Sequence, residues 1–203
     1  MKIIITGGTS GIGKSFLKSF KKDNHQIYNF SRGNNFDLLK DEDINSFVEN
    51  VNDVDILIHS AGYNQPMEVK DISKNVVKWR KHFEINYLRF VELFSLLLEK
   101  GKLKENATII CLSSKSADLT REGWSGYCSS KAALNSFIRN YAQEDKERRI
   151  IGVSPRKVYT KMIKKLYPDI KPEDCLDSRV VAKKIIEIVR DEEVKSGSIV
   201  EID

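Results

Sequence analysis

The chain begins MKIIITGGTSGIGKSF, a β-branched run that passes at once into four glycines within eight residues and then into apolar residues at helical spacing. Glycine loses more backbone freedom on folding than any other residue, so such a cluster answers a geometric demand. Residues 3–5 read as a short buried strand, and the segment from Gly13 to Phe20 reads as a helix, which places the glycines at a strand-to-helix turn. The unpaired N–H groups and positive dipole end of such a helix favour an anion, and glycine lets a phosphate approach the backbone closely. A tight turn capped by Thr9 or Ser10 accounts for the same spacing.

Strand-like runs recur at 2–6, 26–30, 55–59, 108–113, 149–153 and 198–202, and amphipathic segments fall between them at 11–22, 41–50, 73–100, 125–147 and 178–190. Strands that alternate with helices predict an α/β fold, a doubly wound parallel sheet with helices on both faces. With 203 residues and no repeat or linker, a single domain over 1–203 is expected. Ligands in such sheets bind beyond the carboxyl ends of the strands. The residues there are small, polar and hydroxyl-bearing: Ser31-Arg32-Gly33, Ser60-Ala61-Gly62, Ser113-Ser114 and the stretch from Ser154 to Thr160.

Other classes are disfavoured. No apolar run reaches the ~20 residues that span a bilayer, and the amino end lacks the pattern of a secretory signal, so no membrane partner is expected. The formal charge of +5 comes from 34 basic and 29 acidic residues that are interspersed, which argues against nucleic acid. A local basic excess at Arg156, Lys157, Lys161, Lys164, Lys165 and Lys171 fits either a negatively charged ligand or a solvated helical face. Cys111, Cys128 and Cys175 show no metal-ligand spacing, and the three histidines lie far apart. No metal and a reducing, cytoplasmic setting are expected.

Tyr127 and Lys131 stand one helical turn apart, phenol and ammonium on one face. The spacing alone carries little, since Tyr167 and Lys171 repeat it between two prolines. Tyr127 differs in its company: Ser114 at a strand end thirteen positions earlier, and the glycine turn.

In this order and at these separations, the turn from Thr6 to Gly13, Asp37-Leu38, His59-Ser-Ala-Gly62, Asn86, Ser113-Ser114, Tyr127-xxx-Lys131, Pro155 and Thr160 resemble the short-chain dehydrogenase/reductase family over nearly the whole chain. The resemblance implies a Rossmann-type fold, a nicotinamide dinucleotide, and a catalytic set of Asn86, Ser114, Tyr127 and Lys131. It also implies cofactor contacts at Gly7, Thr9, Ser10, Gly11, Ile12 and Gly13. Further contacts are implied at Ser31, Arg32, Asp37, Leu38, Ser60, Ala61 and Gly62, and then at Tyr127, Lys131, Pro155, Val158 and Thr160. Ser114 is preferred over Ser113 by its offset from the tyrosine, and alternation along the strand sends the two side chains to opposite faces.

Hydride transfer to a carbonyl leaves an alkoxide, and Tyr127 is the expected general acid. Bringing a phenol to neutral pKa takes roughly 4 kcal/mol, about what an ammonium ~4 Å away supplies at an effective dielectric of about 20. That assigns Lys131 the task of lowering Tyr127, with Ser114 holding the carbonyl oxygen and Asn86 positioning a water chain behind the lysine. Asn86 also admits a reading as a mid-helix residue bonded locally. Where relatives that select NAD carry an acidic residue after the second strand, this chain has Ser31-Arg32, and a guanidinium suits a 2′-phosphate. NADP(H) is therefore expected over NAD(H), with a small-molecule carbonyl or alcohol as substrate. Trp124 is a candidate wall of the substrate pocket.

The match has departures. His59-Ser60 replaces the usual Asn-Asn, Pro155-Arg156 replaces Pro-Gly, and the substrate-covering segment between Thr160 and Ser178 is short. These motivate an alternative: an NADP-binding sensor of the same fold with weak or no turnover. Resemblance also implies a homodimer or homotetramer.

Overall fold

The computed structural model describes residues 1–20 and 25–203; residues 21 and 22 of the expected first helix lie outside them. Among the described residues, strands β1 (Lys2–Thr6), β2 (Gln26–Phe30), β3 (Val54–His59), β4 (Leu103–Leu112), β5 (Arg149–Pro155) and β6 (Ile199–Ile202) pair in parallel. Their order across the sheet is β2-β1-β3-β4-β5-β6. The connecting helices are α1 (Gly11–Phe20), α2 (Asp41–Glu49), α3 (Val76–Phe83), α4 (Arg89–Glu99), α5 (Ser125–Glu144), α6 (Lys161–Leu166) and α7 (Ser178–Arg190). This is the doubly wound Rossmann-type architecture expected.

Alternation along each strand divides the core in two. Ile4, Leu57, Ile109 and Ile150 face α2, α4 and α5, where Phe47, Phe90, Leu93, Phe94, Leu134 and Ile138 are buried against them. Ile3, Ile5, Ile56, Ile58, Ile110 and Ile151 face the other way, onto Phe16 and Phe20 of α1 and onto Val181, Ala182, Ile185 and Ile188 of α7. Neighbouring isoleucines on one strand thus serve opposite layers, which is why these strands read as continuous apolar runs rather than alternating ones.

Three elements differ from the sequence expectation. The segment 73–100 is two helices joined by a π-helical turn at Glu84–Leu88. Strand β4 starts at Leu103 rather than 108; its register against β3 shifts between Val54 and Ile56, and the polar Lys104-Glu105-Asn106 is exposed. Helix α6 was not anticipated: six residues, three of them lysine, give almost no periodic signal.

Candidate active site

Strand β1 connects to β2 on one side of the sheet and neighbours β3 on the other, so the chain order reverses at the carboxyl ends of β1 and β3, where a crevice opens. The crevice is a cleft of about 910 Å³. Its floor is the glycine turn. Gly7 (φ +72°) and Gly11 (φ +51°) occupy the left-handed region that disfavours side chains. A Cβ at Gly7 would lie 2.8 Å from the Cα of Ala61, so the turn is pressed onto the segment after β3. Thr6 holds that segment in place: its Oγ1 accepts from the N–H groups of Ser60 (3.2 Å) and Ala61 (3.1 Å) and bonds His59 Nδ1 at 2.9 Å. Gly7, Thr9, Ser10, Gly11 and Ile12 line the cleft, as do Ser60, Ala61 and Gly62. The cradle fits a pyrophosphate: Gly11 begins a ten-residue helix whose first turn lines the cleft, and a Cβ there would crowd the Thr160 methyl at 3.3 Å, so the backbone stays bare toward the cleft.

Ser31, Arg32, Asp37 and Leu38 line the cleft beyond β2. Arg32 is exposed and has no ion pair among the described residues. Ser31 is buried and donates to Asn29 Oδ1 at 3.1 Å. The Asp37 carboxylate accepts from the Leu39 N–H at 3.0 Å, and the Leu38 carbonyl is tied down by Arg89 Nε at 2.6 Å.

Ser114, Tyr127 and Lys131 meet at the other end. The Ser114 hydroxyl stands on the same wall as the Tyr127 phenol, near enough to favour its ionised form, and accepts from the Ser116 N–H at 3.2 Å. Ser113 turns away, as alternation requires, and donates to Asn135 Oδ1 at 2.5 Å inside the protein. The Tyr127 ring packs edge-on against Trp124, centroids 5.6 Å apart, and Trp124 lines the cleft. Lys131 is buried and its Nζ donates to the Leu112 carbonyl at 2.6 Å.

Beyond β5, Pro155, Val158 and Thr160 form the third wall. The segment is fastened by a parallel bridge between Val158 and Leu176, with Leu176 N–H donating to Lys157 carbonyl and Tyr159 N–H to Leu176 carbonyl, both at 2.8 Å. Arg156 takes an ordinary negative φ and extends outward to the Asp174 carbonyl at 3.5 Å, so the bulky residue in place of glycine strains nothing. Thr160 caps α6, accepting from Ile163 N–H at 3.3 Å. Helix α6 crosses over the cleft: the Met162 methyl lies 3.8 Å from where a Cβ on Gly62 would stand.

Three expectations need correction. Gly13 is off the cleft wall; a Cβ there would meet the Gly7 carbonyl oxygen at 2.6 Å, so this glycine lets α1 pack onto the turn. Asn86 is fully buried behind the wall, and its amide is committed to protein groups. Its Oδ1 accepts from Tyr63 N–H (2.7 Å), and its Nδ2 donates to Tyr63 carbonyl (3.0 Å) and Ser130 Oγ (2.9 Å). Lys131 is not the group that sets the Tyr127 hydroxyl in this structure: its Nζ lies 6.0 Å from the Tyr127 ring centroid and gives one of its three N–H groups to the Leu112 carbonyl. Burial pushes the phenol up against the opposing pull of the Ser114 hydrogen bond, and burial brings Lys131 itself down to about 8.

Tyr63, at the strand end that the sequence marks as a site wall, also lines the cleft, and sequence reasoning missed Asn64 and Arg121, which line it too. Asn64 is 9% exposed and its Oδ1 has no partner among the described residues. Its position two residues past Gly62 was the available signal. Among the described residues there is no cluster of metal-ligating side chains and no helix long and apolar enough to cross a membrane.

A family model described as short chain dehydrogenase matches residues 33–171. An uncharacterized oxidoreductase of Saccharomyces cerevisiae is 30% identical over 195 residues, covering 84% of this chain and 75% of the relative. A crystal structure of a short-chain dehydrogenase/reductase from the same yeast superposes with a TM-score of 0.82 at 25% identity, over 98% of this chain and 95% of that one. The fold is also shared with a small-chain dehydrogenase crystallised in complex with NADPH (TM-score 0.83, 18% identity, 100% and 96% coverage).

Proposed function

Because the chain belongs to the short-chain dehydrogenase family of oxidoreductases, we propose that its cleft binds NADP(H) and that it transfers hydride between the nicotinamide and a small-molecule carbonyl or alcohol. The observation that carries this reading is the meeting of Ser114, Tyr127 and Lys131 at one end of a cleft whose other end is the glycine turn. The NADPH complex of a protein of the same fold is consistent with it. The dinucleotide, when bound, supplies the hydride.

The residues divide the remaining work. Backbone amides of the turn hold the pyrophosphate, and Arg32 with Ser31 meets the 2′-phosphate. Asp37 and Leu38 receive the adenine. Pro155, Val158 and Thr160 would border the nicotinamide end of the dinucleotide, and the two remaining N–H groups of Lys131 would be available to a ribose hydroxyl. Ser114 holds the substrate oxygen. Tyr127, kept protonated by burial, gives its proton to that oxygen as charge develops on it. Asn86 acts as a positioning residue, through Tyr63 and Ser130. The proposal includes assembly as a homodimer or homotetramer, taken from the resemblance, and a cytoplasmic setting, taken from the cysteine usage.

The test is Tyr127→Phe, followed by NADPH oxidation with aldehyde and ketone substrates and by NADPH binding through fluorescence. Loss of about three orders of magnitude in kcat with binding intact is expected. Tight NADPH binding without turnover in either protein identifies a sensor instead.

A further inference from the structure

Eight basic residues line the cleft against a single carboxylate, Asp37, which lies at the adenine end. Four of the eight have evident employment. Lys131 bonds a carbonyl, Arg32 stands at the nucleotide end, Lys115 is paired with Glu201 and Asp203, and Arg156 reaches the Asp174 carbonyl. Lys81, Arg121, Lys157 and Lys161 remain, without an ion pair among the described residues. Unpaired like charges around one concavity raise the local concentration of anions.

Arg121 is the one built into place. Its guanidinium stacks on Trp124, 4.6 Å from the ring centroid, and lies 5.8 Å from the Tyr167 ring, whose hydroxyl accepts from its Nη1. Lys157 approaches the same Tyr167 ring at 5.0 Å. Trp124 in turn packs edge-on against Tyr127. An exposed guanidinium held between two aromatic rings therefore stands one ring away from the reacting phenol, at the end of the cleft opposite the glycine turn and Arg32. Four of its five N–H donors remain for another acceptor. The surrounding wall is apolar, from Leu119, Trp124 and Met162.

Resting on the oxidoreductase reading above, we propose that the substrate is an oxo acid: an aldehyde or ketone with an apolar body and a carboxylate that docks on Arg121, with Lys157 as a second cation. The planar fork of Arg121 matches a carboxylate in two-point contact. The carboxylate is unchanged by the reaction. The carbonyl carbon gains hydride from the reduced nicotinamide, and the carbonyl oxygen gains the proton of Tyr127.

The experiment compares 4-formylbenzoate with its methyl ester, which differs at the charged end, and 6-oxohexanoate with hexanal. The ester group withdraws electrons more strongly than the carboxylate, so intrinsic reactivity opposes the expected order. For the wild-type protein, kcat/KM is expected to favour each acid by about tenfold or more. That ratio falls toward one in Arg121→Gln, mainly through KM of the acid, and takes an intermediate value in Arg121→Lys. Raised salt shrinks it in the wild type. Equal use of acid and neutral partner by the wild type, or a ratio unchanged in Arg121→Gln, overturns the oxo-acid assignment and leaves the oxidoreductase reading standing. Turnover of neither member of any pair, with NADPH bound, removes both.

Discussion

Arg32 stands exposed at the carboxyl end of β2 on the rim of the cleft, with no counter-charge among the described residues. A cation in that position is useful only if an anion arrives. Arg32→Ala is therefore expected to weaken NADPH about tenfold while leaving NADH nearly unchanged, as read by fluorescence titration of each nucleotide. Lys131 behaves differently. It is buried and held by one carbonyl, and burial brings its pKa down to about 8. The sequence placed phenol and ammonium on one helix face, and both reach the cleft. It could not show that the ammonium would turn to Leu112, because side-chain torsions and the position of a neighbouring strand's carbonyl are not written in spacing.

The π-helical turn between α3 and α4 decides where Asn86 points. Asn86 falls within Glu84–Leu88, and its amide closes on both backbone groups of Tyr63. It thus fixes the segment after β3 that lines the cleft, in a manner common for such turns near functional sites. Asn86→Ala leaves the half-buried Tyr63 backbone groups without their side-chain partner and is expected to cost about 2 kcal/mol in denaturant unfolding. The same change should speed hydrogen exchange at the Tyr63 amide, which a general loss of packing would not single out. Strands and long helices were legible because Ile, Val and Phe repeat at strand and helix periods, and α7 matches the expected 178–190. The break at 84–88 was not, since Phe83, Tyr87, Phe90 and Val91 keep a helical pattern across it. Neither was α6, whose lysines and short length carry no period. Ser114 and Tyr127 were singled out through the resemblance of the ordered motifs, since their spacing alone carries little, whereas Arg121 lies in a turn with no pattern and emerges only when Trp124 and Tyr167 come together around it.

At the scale of the whole molecule, two buried histidines couple stability to pH. His59 stacks on Phe90 at 4.5 Å, bonds Thr6, and is held near pKa 3 by burial and by the neighbouring Lys131 charge. His82 is lowered by burial as well, with Nε2 accepting from Gln65 N–H at 3.1 Å. His59 stays neutral in the folded protein over this range and His82 holds a proton less firmly there than in the unfolded chain, where both bind one below about pH 6.5. The unfolded state then holds more protons, so stability is intact above that pH and falls as pH drops, by up to about 1.4 kcal/mol per pH unit for His59, and His82 adds to the fall in the same direction. Chemical unfolding between pH 6.5 and 5, above the range in which carboxylates titrate, should show this slope. His59→Asn should reduce it whatever its effect on absolute stability.

The two halves of the chain also depend on each other at one small place. The family model's match ends at residue 171, yet the strip carrying Lys157, Val158 and Thr160 is moored to Leu176, and α7 and β6 complete the layer beneath it. A fragment cut at 171 would keep every residue of the Ser114, Tyr127 and Lys131 group and lose the anchor of the facing bank. Excision at that point yields chemistry without a container.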